Sequence, residues 1–175
     1  MSRVLIVYST TDGHTLKICQ RLRQTIEPTG AQVQVVSVAD AEGIDLAAYD
    51  KIVIGASIRY GRHSKAIRDF IDARFAQLAA KPNAFFSVNI VARKPDKNRP
   101  ETNPYLRKFL DTIRWRPQLL AVFAGKLDYP RYRFFDRLMI RFIMLITRGP
   151  TDPHAVIEFT DWNEVEAFAR RVVSM

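Results

Sequence analysis

The sequence predicts an α/β fold. Five parallel strands in the order 2-1-3-4-5 form a doubly wound sheet, with helices on both faces and a basic amphipathic helix inserted before the last helix. Three observations predict it. Apolar, β-branched runs alternate with segments whose apolar residues recur at helical spacing, the pattern of strand–helix–strand crossovers. The first run ends in a loop of hydroxyl residues and glycine that leads straight into a helix. One stretch, residues 126–148, breaks the alternation where such a fold needs only a short connection.

Val4–Tyr8 reads as strand one, and Thr15, Ile18, Cys19, Leu22 and Ile26 share one face of the helix after it. Pro28 and Gly30 end that helix. Val33–Val38 is strand two and Lys51–Gly55 strand three. Ile67, Phe70, Ile71 and Leu78 mark the next helix, and Ala84–Asn89 is strand four. Leu106, Phe109, Leu110 and Ile113 mark another helix, and Leu119–Ala124 is strand five. Val165, Phe168, Ala169, Val172 and Val173 form the apolar face of a last helix, capped by Thr160 or Asp161. His154 falls near the start of a strand segment that follows the insertion. In such a sheet ligands sit beyond the carboxyl ends of strands one and three, where the strand order reverses.

The 175 residues are most simply one domain, 1–175, with an insertion at about 126–148. A hydrophobic content of 47% with 26% charged residues is that of a globular chain able to bury a core. The single cysteine, Cys19, excludes an internal disulfide and reads as core packing, and no metal cluster is evident. The amino terminus reads as a strand rather than a signal peptide. Residues 91–148 hold 14 of the 27 basic and 5 of the 18 acidic side chains, so they carry the whole net charge of +9. A basic block of that kind implies an anionic partner.

The loop Ser9-Thr10-Thr11-Asp12-Gly13-His14-Thr15 aims backbone N–H groups at one point beside a helix N-terminus. It lacks the lysine of a P-loop and the three glycines of a dinucleotide fingerprint. A single terminal phosphate, as in a mononucleotide such as FMN, suits it. The same residue types also serve as plain helix caps, so the loop alone leaves both readings open. After strand three, Ser57 and its neighbours are placed to bond the polar edge of a flat ring, and Tyr60 to lie against it; Asn89, after strand four, is placed like Ser57.

In the insertion, Arg133, Arg137 and Arg141 are spaced i, i+4, i+8, with Arg148 two turns on. Phe134, Leu138, Met139, Ile140, Phe142, Ile143, Met144, Leu145 and Ile146 lie between and opposite them. No uninterrupted apolar run approaches the ~20 residues that cross a bilayer. A helix lying in the headgroup plane fits, with arginines reaching lipid phosphates and Tyr129, Tyr132 and Phe135 at the interface. Docking on its own domain, pairing in a homo-oligomer and covering a substrate remain open alternatives. The segment's apolar content argues against nucleic acid.

Taken together, several motifs resemble one family. They are the Ser9–Thr15 loop, Val53-Ile54-Gly55-Ala56-Ser57-Ile58-Arg59-Tyr60-Gly61, Ser87-Val88-Asn89-Ile90-Val91-Ala92-Arg93-Lys94-Pro95, Trp115-Arg116-Pro117 and Tyr129-Pro130-Arg131-Tyr132-Arg133. The chain resembles, over essentially its whole length, the flavodoxin-fold, quinone-dependent protoporphyrinogen IX dehydrogenases of bacteria. The resemblance implies a flavodoxin-like sheet and FMN as cofactor. It implies oxidation of protoporphyrinogen IX to protoporphyrin IX in haem biosynthesis, with menaquinone or ubiquinone as acceptor. The cofactor would be held by Ser9, Thr10, Thr11, Gly13, His14, Thr15, Ser57, Ile58, Arg59, Tyr60, Gly61, Asn89, Ile90 and Val91. Asp12 stands where the general flavodoxin pattern has a hydroxyl, and a carboxylate beside a phosphate must turn away, for instance to cap the helix.

The substrate's propionates suit Arg59, Arg62, Arg93 or Lys94. The membrane contact falls to Arg133, Arg137, Arg141, Phe142 and Leu145, which places the protein peripherally on the cytoplasmic face of a bacterial inner membrane. Hydride chemistry belongs to the flavin, so no catalytic acid or base stands out; His63 is the one candidate proton acceptor. An NAD(P)H-quinone reductase and a membrane-docking flavodoxin-type electron carrier are the alternative functions.

Overall fold

In the computed structural model, which describes residues 1–175, apolar β-branched residues build β1 (Arg3–Ser9), β2 (Gln32–Ser37) and β3 (Lys51–Arg59). A two-residue strand β4 (Arg62–His63) folds back on β3. Then come β5 (Asn83–Asn89) and β6 (Leu119–Ala124). The five long strands are parallel and run β2-β1-β3-β5-β6, the 2-1-3-4-5 order expected once the β4 hairpin is set aside. Strands covered on both faces read as continuous apolar runs, and every residue of β5 is buried.

Alternation along each strand divides the core between two faces. Leu5, Val7, Ile52, Ile54 and Phe85 face α2 (Lys65–Ala73), α3 (Phe75–Ala79) and α4 (Pro104–Thr112). Val4, Ile6, Val53 and Phe86 face α1 (His14–Ile26) and α6 (Trp162–Ser174). Cys19 is fully buried there, and burial pushes its thiol well above the usual range, so it is inert packing. Gly55 has a packing reason: a Cβ on it would lie 2.1 Å from the Phe86 ring.

Several boundaries differ from expectation. The helix expected through Ile67–Leu78 breaks at Arg74 (φ −111°, ψ 13°), which separates α2 from α3. α1 ends at Ile26, before Pro28 as expected, and a 3₁₀ turn, Glu27–Thr29, then precedes Gly30, which takes the left-handed conformation (φ 91°). Of the two caps offered for α6, Asp161 serves, accepting from the Asn163 and Glu164 N–H groups. β3 runs on from Gly55 to Arg59 and turns back through Tyr60 (φ 50°) and Gly61 (φ 73°), the positive-φ pair of a two-residue hairpin. A tyrosine held at positive φ is strained, and the hydroxyl of this one donates to Asp136.

Residues 126–148 do more than form one helix. β7 (Lys126–Asp128) pairs antiparallel with β8 (Val156–Glu158), and α5 (Phe134–Ile146) lies between them in sequence. Leu127, Tyr129 and Met144 make a small separate core, with Ile140 and Ile143 packed against it. α5 ends in a Schellman arrangement: the Gly149 N–H donates to the Met144 carbonyl and the Arg148 N–H to that of Leu145, with Arg148 at φ 56°. No helix is long and apolar enough to cross a membrane.

Candidate functional site

The loop after β1 folds on itself before α1 begins. Gly13 takes the left-handed conformation (φ 84°) as the N-cap of α1, and its N–H donates to Thr10 Oγ1 at 3.0 Å. No side chain caps α1. Asp12 therefore does not take the capping role expected of it and instead lines the adjoining cleft. Desolvation raises the Asp12 carboxyl above the usual range, against the pull of Arg59 and Arg131. Beneath the loop, the hydroxyls of Ser9 and Thr15 are buried without a partner. Thr15 lines the adjoining cleft and Ser9 does not, so the orphan Thr15 hydroxyl at the uncapped helix N-terminus is the one placed to meet a ligand acceptor. The His14 ring is engaged elsewhere: Thr160 Oγ1 donates to the Ala124 carbonyl (2.6 Å) and accepts from His14 Nε2 (2.6 Å). Burial lowers the His14 pKa. Only the His14 backbone is left to face an anion.

This loop forms one side of a cleft with about 1160 Å³ of empty space, counting its open mouth. Of the residues expected to hold the cofactor, Thr10, Thr11, His14, Thr15, Ser57, Ile58, Arg59, Tyr60, Asn89, Ile90 and Val91 line this cleft. Ser9, Gly13 and Gly61 do not line it and act through the loop conformations they set.

Asn89 lines the cleft, but its amide points into the protein. Its Oδ1 accepts from the Ala92 N–H (3.0 Å) and from Asn103 Nδ2 (3.1 Å), and its Nδ2 donates to Ser87 Oγ and Asn103 Oδ1. A buried amide needs all its partners, so Asn89 shapes the turn Ile90–Arg93 rather than offering its side chain to a ring. The same network receives His63, whose Nε2 lies 2.8 Å from Ser87 Oγ and whose ring packs on Phe109 and Phe85. His63 does not line the cleft, which removes the geometric basis for a proton-acceptor role.

Burial pushes the His63 imidazole down to about 3. The unfolded chain binds a proton below about pH 6.5 while the folded chain stays neutral, so stability is full above that pH and falls as pH drops. The loss attributable to His63 is about 1.4 kcal/mol per pH unit, or about 2 kcal/mol at pH 5. Urea unfolding at pH 7 and pH 5 is expected to show that extra loss in the wild type and not in His63→Gln.

The opposite wall is α5. Its inner face presents Asp136, Met139, Ile140, Ile143 and Met144 to the cleft. Asp136 accepts from Arg59 Nη2 (2.9 Å) and from the Tyr60 hydroxyl, tying the start of α5 to the β3–β4 hairpin. Arg93 ties down the other end, with Nη2 donating to the Thr147 carbonyl (3.2 Å) and hydroxyl (3.0 Å). Arg93 is thus engaged by the helix terminus, where a cation also complements the dipole. Arg62 and Lys94 lie outside the cleft lining.

Two further expectations change. Arg137 is half-buried and donates to the carbonyls of Tyr129 (3.2 Å) and Tyr132 (3.5 Å), because the turn before α5 leaves those acceptors open. Tyr129 is fully buried and Tyr132 half-buried, so of the three expected interfacial aromatics only Phe135 is exposed. Arg133, Arg141, Phe142 and Leu145 are exposed. The sequence reading missed Tyr105, Lys126, Asp128, Arg131 and Asp136 as lining residues. The acidic Asp136 within a basic helix was the available signal for a partner such as Arg59; Tyr105 carried none.

These features fit the mononucleotide expected from the loop. The uncapped α1 terminus and the orphan Thr15 hydroxyl suit a phosphate, and Ile58, Tyr60, Ile90 and Val91 give the same cleft a largely apolar lining for a ring.

A family model described as a flavodoxin domain matches residues 5–154. A protein from Leishmania major named protoporphyrinogen IX dehydrogenase (quinone) is 49% identical over 168 residues, spanning 95% of this chain and 73% of that one. The protein of that name from Escherichia coli strain K12 is 44% identical over 173 residues, spanning 99% of this chain and 96% of its own. The crystal structure of oxidised Flavodoxin 1 from Bacillus cereus superposes with a TM-score of 0.57 over 99% of this chain and 98% of that one. At 16% identity, that likeness speaks for the fold alone.

Proposed function

This chain belongs to the flavodoxin-domain family and, within it, to the quinone-dependent protoporphyrinogen IX dehydrogenases, and we propose that it oxidises protoporphyrinogen IX to protoporphyrin IX with FMN as cofactor and a respiratory quinone as acceptor. One observation carries the reading: a single cleft joins an uncapped helix N-terminus, with the orphan Thr15 hydroxyl, to an apolar wall made by α5. The first feature suits a flavin mononucleotide, and the second suits tetrapyrrole and quinone rings, which are flat and largely apolar.

Thr10, Thr11, Thr15 and the Gly13–His14 backbone would hold the phosphate, with Ser57, Ile58, Tyr60, Ile90 and Val91 about the ring. When bound, FMN supplies the two-electron redox chemistry. The overall reaction removes six electrons and six protons from the porphyrinogen and converts three quinones to three quinols. The chain's own residues bind and orient. Asp136 fixes Arg59 and Tyr60 at the cleft mouth, and Met139, Ile140 and Ile143 exclude water from one side.

The reading extends to where the reaction occurs. Phe134, Phe135, Leu138, Phe142, Leu145 and Ile146 are all more than half exposed on the outer face of α5. Arg133, Arg141 and Arg148 are exposed beside them. A contiguous apolar face flanked by cations suits an anionic bilayer surface, where menaquinone or ubiquinone resides. We place the protein peripherally on the cytoplasmic face of the inner membrane.

The test is anaerobic. With FMN-loaded protein, protoporphyrinogen IX is expected to bleach the flavin absorbance, and a menaquinone analogue to restore it. Bleaching by NADH or NADPH alone would instead assign a quinone reductase, and bleaching by none of them an electron carrier.

A further inference from the structure

Besides His14, three basic side chains line the cleft: Arg59, Lys126 and Arg131. Two of them are neutralised in place, Arg59 by Asp136 at 2.9 Å and Lys126 by Asp128 at 3.2 Å. Arg131 makes neither an ion pair nor a hydrogen bond through its side chain, although its charge is felt at the Asp12 carboxyl, which also lines the cleft.

The backbone that carries Arg131 is held firmly. It ends the 3₁₀ turn Tyr129–Arg131, and the Tyr132 N–H donates to the Tyr129 carbonyl at 3.2 Å. Tyr129 is fully buried, and its hydroxyl donates to the Pro150 carbonyl at 2.7 Å. Arg137 donates to the carbonyls of Tyr129 and Tyr132, and the Tyr132 hydroxyl accepts from the Asp128 N–H at 3.1 Å. A guanidinium without a partner, carried on a turn whose backbone these bonds fix, is available to receive an oxyanion.

We propose that Arg131 is a specificity-determining residue of the cleft, seating a propionate carboxylate of the tetrapyrrole. The inference rests on the porphyrinogen reading above. The cofactor phosphate already has the uncapped α1 terminus and the loop hydroxyls, so an unpaired cation at the mouth is left for a second anion. Arg131 is solvent-exposed, which limits the worth of one such pair to a few-fold in affinity and makes it sensitive to salt.

The experiment compares FMN-loaded wild type, Arg131→Gln and Arg131→Lys in one detergent, with protoporphyrinogen IX and its dimethyl ester as substrates, and measures FMN affinity for each protein. Arg131→Gln is expected to raise KM for the diacid by about fivefold with kcat unchanged. Its KM for the uncharged ester and its FMN affinity should stay as in the wild type. Arg131→Lys should recover part of the loss, and added salt should shrink the wild-type advantage. Equal rises in KM for both substrates, no rise for either, or a loss confined to FMN affinity would each overturn the assignment, the last by making Arg131 a phosphate ligand. A wild type that oxidises neither porphyrinogen overturns the functional reading and this inference with it. One that oxidises both without regard to Arg131 overturns only the inference.

Discussion

Replacing Phe142 and Leu145 together by glutamate is expected to lower binding to anionic vesicles by at least about a hundredfold while leaving FMN affinity unchanged. Both side chains lie on the outer face of α5, 62% and 69% exposed, and neither lines the cleft. Burying an aliphatic or aromatic side chain is worth about 1.5–3 kcal/mol. Each new carboxylate also meets the lipid charge, at a cost of about 1 kcal/mol near the surface. Half of that sum, about 2.5–4 kcal/mol, is already about seventyfold to nearly a thousandfold in partitioning. Co-sedimentation with phosphatidylglycerol vesicles is the measurement. If vesicle binding persists and the double variant instead changes from dimer to monomer, the face belongs to a second copy of the chain.

Thr15→Val is expected to act in opposite directions on the two states of the protein. The Thr15 hydroxyl is fully buried and has no partner within the chain. An unsatisfied buried hydroxyl costs about 1–3 kcal/mol, and valine keeps the shape without the polar group, so the FMN-free protein should gain about 1 kcal/mol. The FMN complex loses a hydrogen bond to a charged group, worth about 1.5–3 kcal/mol, so FMN affinity should fall by about ten- to a hundredfold. Urea unfolding without FMN and fluorescence titration with it read the two effects. A variant with unaltered FMN affinity would show that no phosphate oxygen reaches Thr15 Oγ1.

The parts of the site that were legible in the sequence share a property: their neighbours are close in the chain. The Ser9–Thr15 loop is one such part, since hydroxyls, a glycine and a helix start within seven residues leave few arrangements. The parts that were not legible depend on distant partners. Asn89 looked free to meet a ring until Ser87, Ala92 and Asn103 took up its amide. Arg93 was expected at a substrate propionate and Arg137 at a lipid phosphate, and each instead serves backbone carbonyls around α5. A long basic side chain has enough reach that its spacing along a helix does not say which acceptor it will find.

By itself the sequence determined the sheet, its order and the helix faces. The period of apolar residues is a local quantity, and a parallel strand–helix alternation admits few topologies. It also marked residues 126–148 as a basic, amphipathic interruption. Only the tertiary structure decided how that interruption is used. α5 is apolar on two sides, and a linear pattern does not say which side turns inward. The choice is made by contacts far apart in the chain, Arg59 to Asp136 across 77 positions and Arg93 to Thr147 across 54. Those two anchors turn Met139, Ile140 and Ile143 toward the cleft and leave Phe134, Leu138, Phe142 and Leu145 facing solvent. One helix thereby serves as the wall of the site and as the protein's exposed apolar face.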